Sequence, residues 1–551
     1  MKKIMCLLFA AVMLFCLLLS AISCGEEKVP DETKGIETEG ESSSSKNEQT
    51  VTEAPETSGT TAATETESTV ETAATEIETE TQATETSAPE TSETKDTAGA
   101  LYAYQKAEDY ADLDFAGKTF KIIYRWEPPE EKPSGWGFYF DLYEDDENPD
   151  EILTAAVAFR RNTMKAYYNC DVVGVPSLNA SGEASTAINT GTHAFDLVLA
   201  QYMMTGYGTS RLYYNLMPMM NQSYDCWDSA LIRDYGFANK IYGITGDVSI
   251  SDDECLLVML FNKKILAENN IEYPYDLVRR GEWTLEKMIE LSRLCAKDVN
   301  GNGEYDLNGD IFGTVMWADC WEFLYVGCGG RFVSSVKPDG TVEWAGNSLG
   351  YEADIYQLCL EYLNDPTTGG IRPSIGVPDG GTETVGSGHA AFFLSQLGNI
   401  TSTKQLAFRD YEDFNFGIVP VPKWDTNQTQ YYSTFSVNIG LYAAPITGDY
   451  KIISDFLNVY ALASQATVQK AYTYSIAYAH TSDANVEEML EIANSGRVWD
   501  YSLYTEATVN ANLTSDCRSN KNRWANRLQG GEKKIMSSVG RVTELYADNP
   551  N

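Results

Sequence analysis

"EWTLEKMIELSRLCAKDVNGNGEYDLNGDIFGTVMW", residues 282–317, holds a helix, a polar loop and a strand in succession. Thr284 is a natural N-cap, and Glu286 sits in the first turn, where the helix dipole favours a negative charge. Leu285, Met288, Ile289, Ser292 and Cys295 recur at helical spacing and form an inward stripe. Trp283, just before the cap, is placed to pack as a staple. The helix ends at a run of Asp, Asn and Gly, and the apolar stretch 311–317 then reads as a buried strand. A helix feeding a buried strand is the repeating unit of an α/β layer fold.

The loop between them has two readings. As an EF-hand-like loop, Asp298, Asn300 and Asn302 take positions one, three and five, and Gly303 takes the sharp turn. The Glu304 carbonyl and Asp306 then follow at seven and nine. Gly309 stands where the bidentate acid belongs, and Asp310 comes one residue later. A weak structural calcium ion is expected here, and no other cofactor. The alternative is an Asx-rich turn, which Asn, Asp and Gly form without metal.

The alternation continues on both sides. Strands are expected in 117–126, 170–175, 194–200, 256–262, 389–395 and 414–422, and a helix over 151–168. No internal repeat is evident. The apolar run after Lys2 and Lys3 is too short to span a bilayer and reads as a signal peptide over 1–23. Ala21-Ile22-Ser23-Cys24 resembles a bacterial lipobox, with Ala21 where leucine is preferred, and makes Cys24 the lipidation candidate. A plain secreted protein with a chance cysteine is the alternative. Residues 24–100 are nearly pure Thr, Glu, Ser and Ala, too polar to offset their ordering entropy, and are read as a disordered tether. As a coil, the tether would reach roughly 50 Å.

The chain has 551 residues and a net charge of −40. The part beyond the tether is itself strongly acidic, which argues against nucleic acid and against an anionic membrane surface as partners of the folded body. About 450 residues is too long for one ordinary domain. Eight cysteines lie in the folded part with no CxxC pair among them. Most sit in apolar runs and read as buried free thiols.

Motifs for chemistry are mostly missing. The three histidines are far apart, and no HExxH or P-loop is present. Abundant acids leave a surface-tethered glycan hydrolase open as an alternative. Tryptophans and tyrosines are conspicuous instead, and such rings cover the apolar faces of sugars while Asp, Asn and Gln satisfy the hydroxyl rim.

Several segments resemble the bacterial extracellular solute-binding proteins, family 1, that serve carbohydrate ABC transporters. They include "AAVAFRRN", "KIYGITGD", "FNKKILAENNIEYPYDLVRRGEWTLEKMIELSRLCAKDVNGNGEYD", "FGIVPVPKWDTNQTQYYS" and "VEEMLEIANSGRVWDYS", in that order, between about 117 and 505. The resemblance implies a two-lobed periplasmic-binding-protein-like α/β fold with a hinge and an interlobe cleft. Lobe 1 would hold 117–248 plus 438–490, lobe 2 would hold 256–433, and helices of 491–551 would pack on the lobes. It also implies a lipid-anchored, monomeric, non-enzymatic protein on the outer face of the cell membrane, delivering a sugar to permease subunits. A ligand sensor shares the fold. Cleft residues are expected where strands end. These are Trp126 and Glu127, Gln201 and Tyr202, Asp252 and Asp253, Trp317, Asp319 and Trp321, Ser395 and Gln396, and Ser433 and Phe435. The resemblance favours Trp317 and Trp321 as stacking rings.

Overall fold

The computed structural model describes residues 102–125, 140–142, 151–201, 205–306, 309–316, 320–369, 382–401, 415–502 and 507–551. Nine strands form two sheets. The first takes β1 (Lys118–Arg125), β2 (Cys170–Ser177), β3 (Leu197–Gln201) and β9 (Gly440–Ala443). Its order is β2-β1-β3-β9, with β9 antiparallel to β3 and the rest parallel. The second takes β4 (Leu257–Asn262), β5 (Phe312–Val315), β6 (Thr368–Gly369), β7 (Ala390–Gln396) and β8 (Phe416–Pro420), in the order β6-β5-β7-β4-β8. Strands β3, β4 and β7 are buried along their whole length. That is why they read as unbroken apolar runs rather than alternating ones: helices cover both faces.

The helices that matter for the site are α1 (Glu151–Tyr168), α2 (Ala180–Asn189), α3 (Ser229–Tyr235), α4 (Ser251–Cys255), α5 (Leu285–Cys295), α6 (Cys320–Gly327), α7 (Glu352–Leu363), α8 (Tyr450–Ser464), α9 (Asn485–Ser495), α10 (Ala507–Arg518) and α11 (Trp524–Ala547). The opening stretch folds as its pattern dictates. Thr284 caps α5 by accepting from the Lys287 amide, and the expected stripe is buried. Trp283 is fully buried and donates its indole N–H to the Pro420 carbonyl at 2.8 Å. Past α8 the helix widens into two π-helical segments, Gln465–Gln469 and Ser475–His480, separated by one α-helical stretch.

Between the two sheet bodies, three chain segments, which we call the passages, lie side by side. Leu256 bridges Phe435 and Ser433 bridges Arg497. The Leu257 amide donates to the Thr434 carbonyl at 3.0 Å, and the Val498 amide to the Ser433 carbonyl at 2.9 Å. The eight cysteines of the folded part are all buried, and none is joined in a disulfide among the described residues. Among the described residues, no helix is long and apolar enough to cross a membrane.

Candidate functional site

Helix α4 is the first passage, and its two faces do different work. Residues three apart share a helix face, so Ser251 and Glu254 point one way and Asp252 and Asp253 the other. On the first face, the Ser251 hydroxyl accepts from the Gly440 amide at 2.8 Å. Gly440 is in turn the ladder partner of Gln201, the last residue of β3. Gln201 is only 5% exposed, and neither amide atom has a hydrogen-bond partner among the described residues. Both carboxylate oxygens of Glu254 are likewise buried without a partner. Burial, with Asp141, Asp253 and Asp252 nearby, pushes the Glu254 carboxyl far above its usual range, which favours its neutral form. A neutral carboxyl and a primary amide each carry both donor and acceptor capacity. Unmet valences of this kind at a strand end, beside the passages, are the complement of a polyhydroxyl ligand.

On the opposite face, Arg497 donates to Asp252 and Asp253, and to Asp228 at 3.1 Å. Thr245 also donates to Asp252, at 3.1 Å. Beside this cluster opens a cavity of about 730 Å³, walled by Asp225, Asp247, Gln465, Tyr478, Glu487 and Arg497 among others. Its walls come from both bodies: the π-helical segments continue from α8 of the first, while α9 packs on β8 of the second. The Gln465 side-chain amide joins Asp225 at 3.0 Å and Asp247 at 2.7 Å. Burial and the charge of Asp253 push Asp247 up to about 7.

The sequence-predicted residues divide accordingly. Trp126, Glu127, Tyr202, Trp317 and Asp319 lie outside the described residues. Gln201 occupies the strand end as expected. Ser395 and Gln396 close β7 and are linked through Asn399, whose side-chain N–H reaches Ser395 at 3.0 Å and whose carbonyl accepts from Gln396 at 3.3 Å.

The other five expected residues have the following surroundings. Trp321 is fully buried, donates to Thr514 at 2.9 Å and meets Tyr356 edge-on at 5.3 Å; it is a core ring, not a ligand platform. Phe435 stacks on Trp499 at 4.2 Å beneath the passages. Asp252 and Asp253 are taken up by Arg497. Ser433 acts through its backbone in the passages, though its buried hydroxyl has no partner. Glu254 was the residue missed. The run Ser251-Asp252-Asp253-Glu254 gives no local signal that separates it from the two aspartates; the Arg497 guanidinium does.

The 298–310 loop is held by its own side chains. Asp298 accepts from the Gly301 and Gly303 amides, both at 2.7 Å. Asn300 accepts from Asn302 at 2.9 Å and Asn302 from Glu304 at 2.7 Å. Asp310, fully buried, accepts from Val299 at 2.8 Å and Asp306 at 2.9 Å, tying the two ends together. Gly301 and Gly303 have φ of 71° and 85°, which L side chains rarely adopt. No three acidic, His or Cys side chains converge on a metal position among the described residues.

No family model matches the chain, and no curated protein does. Solved structures do. A *Listeria monocytogenes* ABC substrate-binding protein in complex with cycloalternan aligns over 77% of this chain and 99% of its own, at 13% identity and a TM-score of 0.48. A cyclo/maltodextrin-binding protein complexed with maltotetraose aligns over 80% and 100%, at 12% identity and 0.47. The galacto-N-biose/lacto-N-biose I-binding protein of an ABC transporter from Bifidobacterium longum aligns over 78% and 98%, at 13% identity and 0.49.

Proposed function

We propose that this chain is an extracellular solute-binding lipoprotein that captures a sugar or oligosaccharide between its two sheet bodies and hands it to an ABC transporter permease. The observations that carry the reading are two buried side chains without a hydrogen-bond partner among the described residues, Gln201 at the end of β3 and Glu254 in the first passage. Capture needs no chemistry: a neutral acid and an amide hold hydroxyls, and closure of the bodies excludes water. Lipidation of Cys24 and anchoring at the outer face of the membrane belong to the same proposal and rest on the N-terminal sequence.

A thermal-shift panel of maltodextrins, cyclodextrins and lacto-N-biose tests it. At a hundredfold excess over Kd, a ligand adds about 2.7 kcal/mol of stability. A saccharide that raises Tm in the wild type is expected to lose at least tenfold in affinity with Gln201→Ala and with Glu254→Leu. A panel that leaves Tm unchanged removes the carbohydrate reading. Release of cleaved sugar would turn it toward the hydrolase.

A weak calcium clip at Asp298, Asn300, Asn302, Glu304, Asp306 and Asp310 is also our proposal, supported by the residue pattern. Millimolar calcium is then expected to raise Tm, and Asp298→Ala to abolish the rise. An unchanged wild type leaves the loop as a hydrogen-bonded turn.

A further inference from the structure

Arg497 lies outside the face that carries Gln201 and Glu254, yet it holds more charged partners than any other side chain in the passages. Its guanidinium donates to three carboxylates and to the Asn494 amide oxygen, at 2.9 and 3.1 Å for the last. These partners come from different parts of the molecule. Asp228 is the N-cap of α3, in the chain segment between β3 and the first passage. Asp252 and Asp253 are in the first passage itself. Asn494 is in α9, which packs on β8 of the second sheet. The Arg497 backbone bridges Ser433 of the second passage, and its guanidinium stands 5.6 Å from the Phe435 ring. One side chain, 14% exposed, therefore ties the first body to all three passages and to the second body.

We infer that Arg497 is a positioning residue for ligand capture: a clasp at the pivot that sets the angle between the two sheet bodies and does not touch the ligand. Its consequence for affinity rests on the proposed capture function, but the clasp itself can be read without any ligand. Three features support the role. First, Arg497 and Asp253 border the cavity whose opposing walls belong to the two bodies, so a rotation that changes the front must change this space as well. Second, three carboxylates converge here with one guanidinium as their shared countercharge. Removing it leaves like charges facing one another in a buried site, which drives Asp228 away from the passages. Third, a planar guanidinium with five donors can serve this many acceptors, whereas a lysine, as a point charge, cannot reproduce the fork.

The test uses the full chain with spin labels on two exposed positions, Lys451→Cys on α8 and Glu290→Cys on α5. The eight thiols of the folded part are buried, and replacing Cys6, Cys16 and Cys24 with serine leaves these two as the reactive sites. Inter-label distances are measured without ligand. Wild type is expected to give one narrow distribution. Arg497→Met is expected to broaden and shift it, and Arg497→Lys to restore it only in part. Tyr362→Phe, which removes a buried hydroxyl bonded to Ser292 and Thr314 inside the second body, is the control: it lowers Tm while leaving the distribution unchanged. If Arg497→Met does not fold, Asp253→Asn replaces it and is expected to shift the distribution in the same direction. A distribution identical to wild type, together with a Tm loss like that of Tyr362→Phe, overturns the clasp and leaves Arg497 a stabilising residue only. Should every saccharide fail to bind while the labels still follow Arg497, the capture reading falls and the clasp stands.

Discussion

At the scale of single residues, burial and partners override residue type. Trp283 and Trp321 are the same amino acid, and both are core rings, but for different reasons. Trp283 is fixed by its immediate neighbours and the β8 carbonyl. Trp321 is fixed by Thr514, 193 residues away, and by Trp524. Asp247 makes the same point for charge. Its folded pKa is about 7, above the unfolded value near 3.9. A raised carboxyl contributes stability that is fully present below the unfolded pKa and is lost as pH rises through the folded one. The protein is therefore expected to lose stability from pH 5 to pH 8, on the order of 2 kcal/mol from this residue. Asp247→Asn should flatten that part of the profile in chemical denaturation. Burial raises Glu254 as well, which acts in the same direction. A wild type that gains stability across this range would refute the assignment.

Among the elements, α11 stands out because it spans both bodies. Its first residue, Trp524, packs on Trp321, Tyr325, Phe332 and Tyr356 beside the second sheet. Near its end, Tyr546 packs on Phe237 and Tyr242 in the segment between β3 and the first passage. The residues after α11 are fastened there too: the Asn549 side chain donates to the Gly208 carbonyl at 2.9 Å, and Lys240 donates to the Asn549 carbonyl at 2.6 Å. A rigid helix bonded at both ends limits how far the bodies can part. Trp524→Ala empties a stacked aromatic cluster and is expected to cost about 3–5 kcal/mol in urea unfolding. Gly530, in the same helix, is exposed, has helical φ, and has open space where a Cβ would sit. Gly530→Ala is expected to stabilise by about 0.5–1 kcal/mol, since alanine loses less entropy in a helix. A neutral or negative result for both would mean that α11 is frayed in solution.

Taken whole, the molecule shows how far local pattern reaches. The helix from Thr284, the turn after it and the strands at 118–125, 257–262, 390–396 and 416–420 were all legible. Capping, stripe spacing and apolar runs are properties of adjacent residues. The division of the α4 acids was not legible in the same way. Asp252, Asp253 and Glu254 are consecutive carboxylates, and only Arg497, about 245 residues away, makes two of them structural and leaves the third unmet. The two π-helical segments and the bridging of both bodies by α11 were also invisible, because they arise from contacts between distant elements. The sequence by itself determined the alternation of elements and the acidic polar N-terminal segment. The tertiary structure decided which buried polar groups have partners, because a hydrogen bond or ion pair in the interior depends on what the fold brings within about 3 Å, not on what lies next in the chain.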